Sequence, residues 1–449
     1  MTPLEFLQEE FENVRRALDE TLRHDYGPGR VRDYYNECAS RLTSIEKALA
    51  GVPAGDAQQI SDLLGELSRI SFWIASRERS RLGEFSWPFE DVLRHAAEAL
   101  LADKNLGGST IAPVVHVVSD GIEYQISYEP STSSSVNTHR FVTISFPRPL
   151  KHHVLFHSLF GHELGHAALD TSTSGAVLYG SVLTALRATG PLSSAAALNA
   201  WLHDKAAPAD IQGALTAYST ARKIPFQLTD RSRAAWLEEL MCDLFGLAAF
   251  GPAFVAAHRA FLMPIHPRPY HVRIDEPAST HPPFACRHKM LVRALKLLGW
   301  GTPCTATGSG AIHRAEMDLM NYLKDDPYVP WAQLLTDPQI TAAMSAIQGL
   351  IAAQTYMGYQ PPTPDAVTAL VTLLAEGVPP VQATLENSGK PLLQSTPVAQ
   401  TLYAGWVYWL GKAHLGTSPK LTFFETNRLC DHALMQQSAI DLVINEGVI

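Results

Sequence analysis

The sequence lacks any long apolar run. Its longest, Leu244 to Ala257, is about 14 residues and is broken by Gly246, Gly251 and Pro252, whereas a bilayer span needs roughly 20. No membrane span is therefore expected. The first residues, MTPLEFLQEEFENVRRALDE, have no basic segment ahead of an apolar stretch, so a secretory signal is not expected either. Basic charge is scarce. Thirty-five Lys and Arg stand against 44 Asp and Glu in 449 residues, a formal net charge of -9, with a pI of about 6.0. Such a chain has no basic footprint for phosphates, and a nucleic-acid partner is not expected. Cysteine is sparse as well. Cys38, Cys242, Cys286, Cys304 and Cys430 include no CxxC pair. Their odd count and wide spacing argue against a disulfide framework and against a zinc ribbon. The thiols are expected to be reduced and mostly buried, in a cytoplasmic protein. No internal repeat is visible.

Apolar residues make up 46% of the chain and charged residues 18%, as in ordinary globular proteins with a real core. The length allows two to four domains. Leu4, Leu7, Phe11, Val14 and Leu18 recur at helical spacing. Breaks at Tyr26-Gly27-Pro28-Gly29, at Val52-Pro53-Ala54-Gly55 and near Gly83 to Pro88 divide the first 105 residues into four expected helices. The character then changes. Val114, Val115, Val117 and Val118 precede Asp120-Gly121, and Ile122 to Tyr128 follows, a pattern that predicts a β-hairpin. Arg140 to Phe146 reads as a third strand, and an edge strand there would suit pairing with an extended peptide. Beyond Leu150 the pattern is helical, apart from a Pro- and His-rich loop at Pro264 to Pro283 that is placed to act as a lid.

Chemistry concentrates in three segments. The first is Gly161-His162-Glu163-Leu164-Gly165-His166, an HExxH pattern. On a helix, His162 and His166 lie one turn apart on one face and can reach one metal ion. Glu163 then stands beside a water bound to that metal and is the candidate general base. Nitrogen and oxygen ligation of this kind suits Zn2+. The second segment is Glu238-Glu239-Leu240-Met241-Cys242-Asp243. Glu239 and Asp243 share a helix face, so Glu239 is read as the third ligand and Asp243 as the acceptor that orients a metal-binding imidazole. Glu238 competes for the ligand role, although its partner one turn on is Cys242. Thr229 or Asp230 is placed to cap this helix. The third segment is Ser279-Thr280-His281-Pro282-Pro283-Phe284-Ala285-Cys286-Arg287. His281 and Arg287 can face a developing oxyanion or simply mark a helix start with a structural arginine.

Together, HELGH, EELMCD and STHPPFACR resemble the gluzincin family that holds the CAAX prenyl proteases and the heat-shock protease HtpX. The resemblance covers about a third of the chain, Leu150 to Leu298. It implies zinc held by His162, His166 and Glu239. Glu163 would serve as general base and then general acid, Asp243 as orienter, and His281 and Arg287 would hold the oxyanion or this region. Two departures stand out. Those relatives are integral membrane proteins, and Cys242 replaces the alanine usual before the aspartate.

The fold expected is α+β and mostly helical: a zincin-like catalytic core with a small antiparallel sheet, flanked by helical N- and C-terminal regions. The boundaries expected are 1–105, 106–300 and 301–449. The function expected is zinc-dependent peptide hydrolysis on a dedicated protein target, with protein partners taken by the helical flanks. The alternative is a regulatory or scaffold protein whose zincin domain binds a partner without cleaving it.

Overall fold

The computed structural model describes residues 2–24, 31–81, 89, 92–93, 96–97, 103–104, 110–121, 123–128, 139–171, 173–204, 209–265, 281–305, 310–324, 334–352, 358–381, 384–385, 391–392, 396–416 and 420–445. These residues are mostly helical, with a four-stranded and a two-stranded sheet. Among them, no helix is long and apolar enough to cross a membrane. Most of the loop expected at Pro264 to Pro283, and most of the fourth N-terminal helix, lie outside the described residues.

Contacts divide the chain into two units, Met1–Phe85 with Ala102–Lys151, and Ser86–Leu101 with His152–Ile449. This division differs from boundaries at 105 and 300. The strands expected beside the HExxH helix belong with the N-terminal helices, and residues 301–449 belong with the HExxH segment.

In the first unit, helices α1 (Pro3–His24), α2 (Val31–Leu49) and α3 (Ala57–Arg81) share one core. Leu7, Phe11, Val14 and Leu18 form the buried stripe of α1. Thr2 and Glu5 close a capping box at its start: Thr2 Oγ1 accepts from the Glu5 amide at 3.2 Å, and Glu5 Oε2 accepts from the Thr2 amide at 2.6 Å. Trp73 and Phe141 enclose the Arg41 guanidinium, 5.1 and 4.6 Å from the ring centroids.

The sheet comprises β1 (Asp103–Lys104), β2 (Thr110–Gly121), β3 (Gln125–Tyr128) and β4 (His139–Pro147), in the order β1-β2-β4-β3. Two expectations are corrected here. The sheet is not simply antiparallel, because β2 and β4 run parallel, from Ala112 opposite His139 to Val118 opposite Ser145. Nor does Asp120-Gly121 turn a hairpin, because β3 pairs with β4, Ile126 opposite Ile144. The reason lies in β4. Phe141, Val142, Thr143, Ile144 and Phe146 are all buried, so both faces of the strand are covered. A near-continuous apolar run is the mark of a central strand, and its need for two neighbours overrides the local turn signal. For the same reason β4 is no edge strand. Its backbone groups are used on both sides and are not free for a peptide.

The second unit is built around α8 (Asp230–Phe250), which follows α4 (Phe160–Thr171), α5 (Thr173–Arg187), α6 (Ala195–Leu202) and α7 (Ala209–Arg222). Thr229 caps α8 by accepting from the Ser232 amide at 3.1 Å. From Leu240 to Phe250 every residue of α8 is buried, as a helix wrapped by neighbours requires. Those neighbours include α4, α9 (Pro252–Ile265), α10 (Phe284–Leu297) and, further on, α12 (Asp337–Ala352). Between α10 and α12 lies α11 (Gly310–Lys324), and α13 (Pro364–Ala375), α14 (Val398–Gly411) and α15 (Phe423–Asn445) complete the unit. Tyr403, Trp406 and Tyr408 are buried in α14, which agrees with a packing role. Glu316 of α11 is fully buried but satisfied. Its carboxylate accepts from the amides of Cys304 and Thr305, from the Thr305 hydroxyl and from Tyr403 Oη. It therefore ties the 300–305 turn to two helices, and nothing about it suggests a reactive group.

Candidate metal centre

The site begins with how closely two helices approach. A Cβ added to Gly161 would lie 2.8 Å from the Gly246 Cα, and one on Gly165 would lie 3.0 Å from the Cys242 Cα. Side chains at these positions would hold α4 and α8 apart. With glycine, their backbones meet, and His162 and His166 on one helix reach Glu239 and Asp243 on the other. Gly161→Val is expected to lower stability by about 1–3 kcal/mol through overpacking, and to weaken metal binding as the helices separate. Denaturant unfolding of the metal-free protein and a competition titration check this. Unchanged stability and affinity would contradict the close crossing.

The ligand atoms converge. His162 Nε2 is 3.2 Å from His166 Nε2 and 3.4 Å from Glu239 Oε2. His166 Nε2 is 3.5 Å from Glu239 Oε1. Three ligands about 2.05 Å from a tetrahedral zinc stand about 3.3 Å apart, so the observed spacings fit that geometry. The opposite ring nitrogens explain the arrangement. His162 Nδ1 lies 2.9 Å from Asp243 Oδ1, and His166 Nδ1 lies 3.0 Å from Glu238 Oε1. Carboxylates only accept, so each Nδ1 carries the donated proton and a neutral ring turns its Nε2 lone pair inward. Two lone pairs and a carboxylate then face one point. That is repulsive unless a cation or protons sit there. Glu239 Oε2 is buried and accepts no hydrogen bond among the described residues; its near neighbours are His162 Nε2 and an Arg287 terminal nitrogen, each at 3.4 Å. His162, His166 and Glu239 can therefore hold a metal ion.

Electrostatics follow the same geometry. Burial opposes charge on His162, but Asp243 and Glu239 outweigh it and hold the imidazole pKa above its ordinary value. Burial likewise opposes charge on His166, and Cys242, Glu238 and Glu239 outweigh it. Burial would raise Glu239, yet the two imidazoles and Arg287 hold it well below the usual carboxylate range. The metal-free site thus retains protons on its imidazoles, which a metal must displace. Glu163 differs. Burial raises its pKa, against the lowering effect of both imidazoles.

The remaining expected residues divide by exposure. Arg287 is buried, and it donates from Nε to Asp243 Oδ2 at 2.8 Å and from a terminal nitrogen to Asp243 Oδ1 at 2.7 Å. Its other terminal nitrogen lies 3.4 Å from Glu239 Oε2. This geometry holds the region in place and leaves the guanidinium committed to carboxylates. His281 is the open one, its side chain 63% exposed and its Nε2 3.3 Å from Glu239 Oε1. Of the three imidazoles near Glu239, His281 and then His166 are the more exposed, and His162 the least. Asp243 is fully enclosed. Behind it His258 is also buried, its Nε2 3.7 Å away and its ring stacked on Phe284. Burial holds His258 well below its ordinary pKa and hence neutral.

Glu239, not Glu238, faces the two Nε2 atoms, while Glu238 engages the back of His166. Sequence reasoning did not assign that contact, nor the roles of Gly161, Gly165, Gly246 and His258. The pair Gly161 and Gly165, small residues one turn apart, is a readable signal for a close helix crossing. His258 carried no such signal. No protein-family profile, no curated protein and no solved structure matches this chain.

Proposed function

We propose that the chain is a zinc-dependent metallopeptidase with a zincin-like core, acting on a protein or peptide substrate. The observation that carries this reading is the convergence of His162 Nε2, His166 Nε2 and Glu239 on one point, at spacings of 3.2–3.5 Å. The donor set of two imidazoles and a carboxylate suits zinc and leaves a fourth position for water. When bound, the ion supplies an acidified water and a Lewis acid for the substrate carbonyl.

The chain's own residues do the rest. Glu163 holds a carboxylate beside the ligands, takes a proton from water and returns it to the leaving amine. Asp243 fixes the His162 ring, and Arg287 fixes Asp243. His281, exposed with its Nε2 3.3 Å from Glu239 Oε1, would donate a hydrogen bond to an oxyanion. A chain with few cysteines and no CxxC pair is compatible with a reducing compartment, and cytoplasmic residence forms part of the proposal.

The test is cleavage. Zinc-loaded protein is incubated with a diverse peptide mixture, and new termini are mapped by mass spectrometry. New termini that are absent with Glu163→Gln support a peptidase. No cleavage of peptides or of captured binding proteins would instead favour a zincin domain that binds without cutting.

A further inference from the structure

We infer that Glu238 is a positioning residue for His166 and controls how readily the site releases its metal, an inference that rests on the metal-centre reading. The two imidazoles are held from behind in unlike ways. His162 is backed by Asp243, which is fully enclosed and bound by the Arg287 fork. That carboxylate cannot swing away, and its charge is shared with a guanidinium. His166 is backed by Glu238, whose side chain is 42% exposed, 3.0 Å from Nδ1. Among the described residues, His166 is the one ion-pair partner of Glu238.

A carboxylate on the far nitrogen fixes the tautomer, aims the lone pair and raises ligand basicity. Glu238 supplies all three to His166 with an unshared charge, but from a position where water competes for it. When Glu238 rotates into solvent, His166 loses its orienting contact and is free to turn. His166 itself is the more exposed imidazole, 23% against 10% for His162. The pathway of metal release therefore runs through His166, with Glu238 as its restraint. Glu239 and Asp243 are too enclosed to move first.

The test uses the full chain loaded with zinc, and follows zinc transfer to an excess of a chromogenic chelator. Glu238→Ala is expected to release zinc faster and bind it about 10–100-fold more weakly. Glu238→Gln keeps a carbonyl acceptor for Nδ1 and is expected to fall between Ala and wild type. The metal-free forms are expected to melt together, since Glu238 lies half in water. Release from Glu238→Ala at the wild-type rate would overturn the inference. So would a large fall in metal-free melting temperature that Gln does not rescue, which marks a structural role. Wild-type protein that takes up no zinc would overturn the metal-centre reading itself, and that result is distinguishable from the other two.

Discussion

Glu163→Gln is expected to retain its metal and to hydrolyse peptides about 10²–10⁴-fold more slowly than wild type. Glutamine has the same shape and can still accept a hydrogen bond, but it cannot carry a proton from water to an amine. Glu163 is outside the group of metal-holding side chains, so metal content should not change. Its local environment sharpens the expectation. Burial raises the carboxyl pKa above the ordinary 4.5, with His162 and His166 pulling it down. A base must be deprotonated, so the rate should rise with pH through the pKa of the base. In Glu163→Gln this acid limb should vanish along with the rate. Unchanged turnover in the variant would sink the proton-transfer role.

The second large effect is on stability. Arg287→Ala leaves Asp243 buried without its guanidinium, and breaking a buried pair this way costs about 3–5 kcal/mol. Asp243 accepts two hydrogen bonds from Arg287 and one from His162. These hold its pKa well below the ordinary 3.8, against the raising effect of burial. A carboxyl depressed in the folded state stabilises the fold above its unfolded pKa, and the contribution fades as pH falls below that value. The Arg287→Ala loss should therefore be full near neutrality and shrink in acid. Arg287→Lys keeps the charge but not the fork, and should fall between. Replacing both Arg287 and Asp243 by leucine should recover part of the stability without restoring metal affinity. Urea unfolding reads all of these. An Arg287→Ala protein as stable as wild type would contradict the buried pair.

The candidate metal site was legible to the extent that it depends on helix phase. His162 and His166 sit one turn apart whatever the fold, and so do Glu239 and Asp243. The sequence also favoured Glu239 over Glu238, since Asp243 lies one turn on from Glu239 and Cys242 from Glu238, but what Glu238 itself meets needed the crossing of α4 and α8. Neighbours in sequence lie about 100° apart on a helix, and here each meets a different atom. Glu239 faces the Nε2 side and Glu238 the Nδ1 of His166. The sheet was legible as strands but not as a topology. Asp120-Gly121 is a local signal, whereas the pairing of β4 with both β2 and β3 follows from burial on two faces, which no short window reports. Unit membership was equally hidden, because Val114 and Phe141 join the core of α1 to α3 through packing that only the folded chain brings about.

The most direct test is metal content by mass spectrometry for wild type, His166→Ala and Glu239→Ala. About one zinc per wild-type chain, lost in both variants, is the predicted result. Wild-type protein without metal, or full retention in Glu239→Ala, would contradict the three-ligand centre.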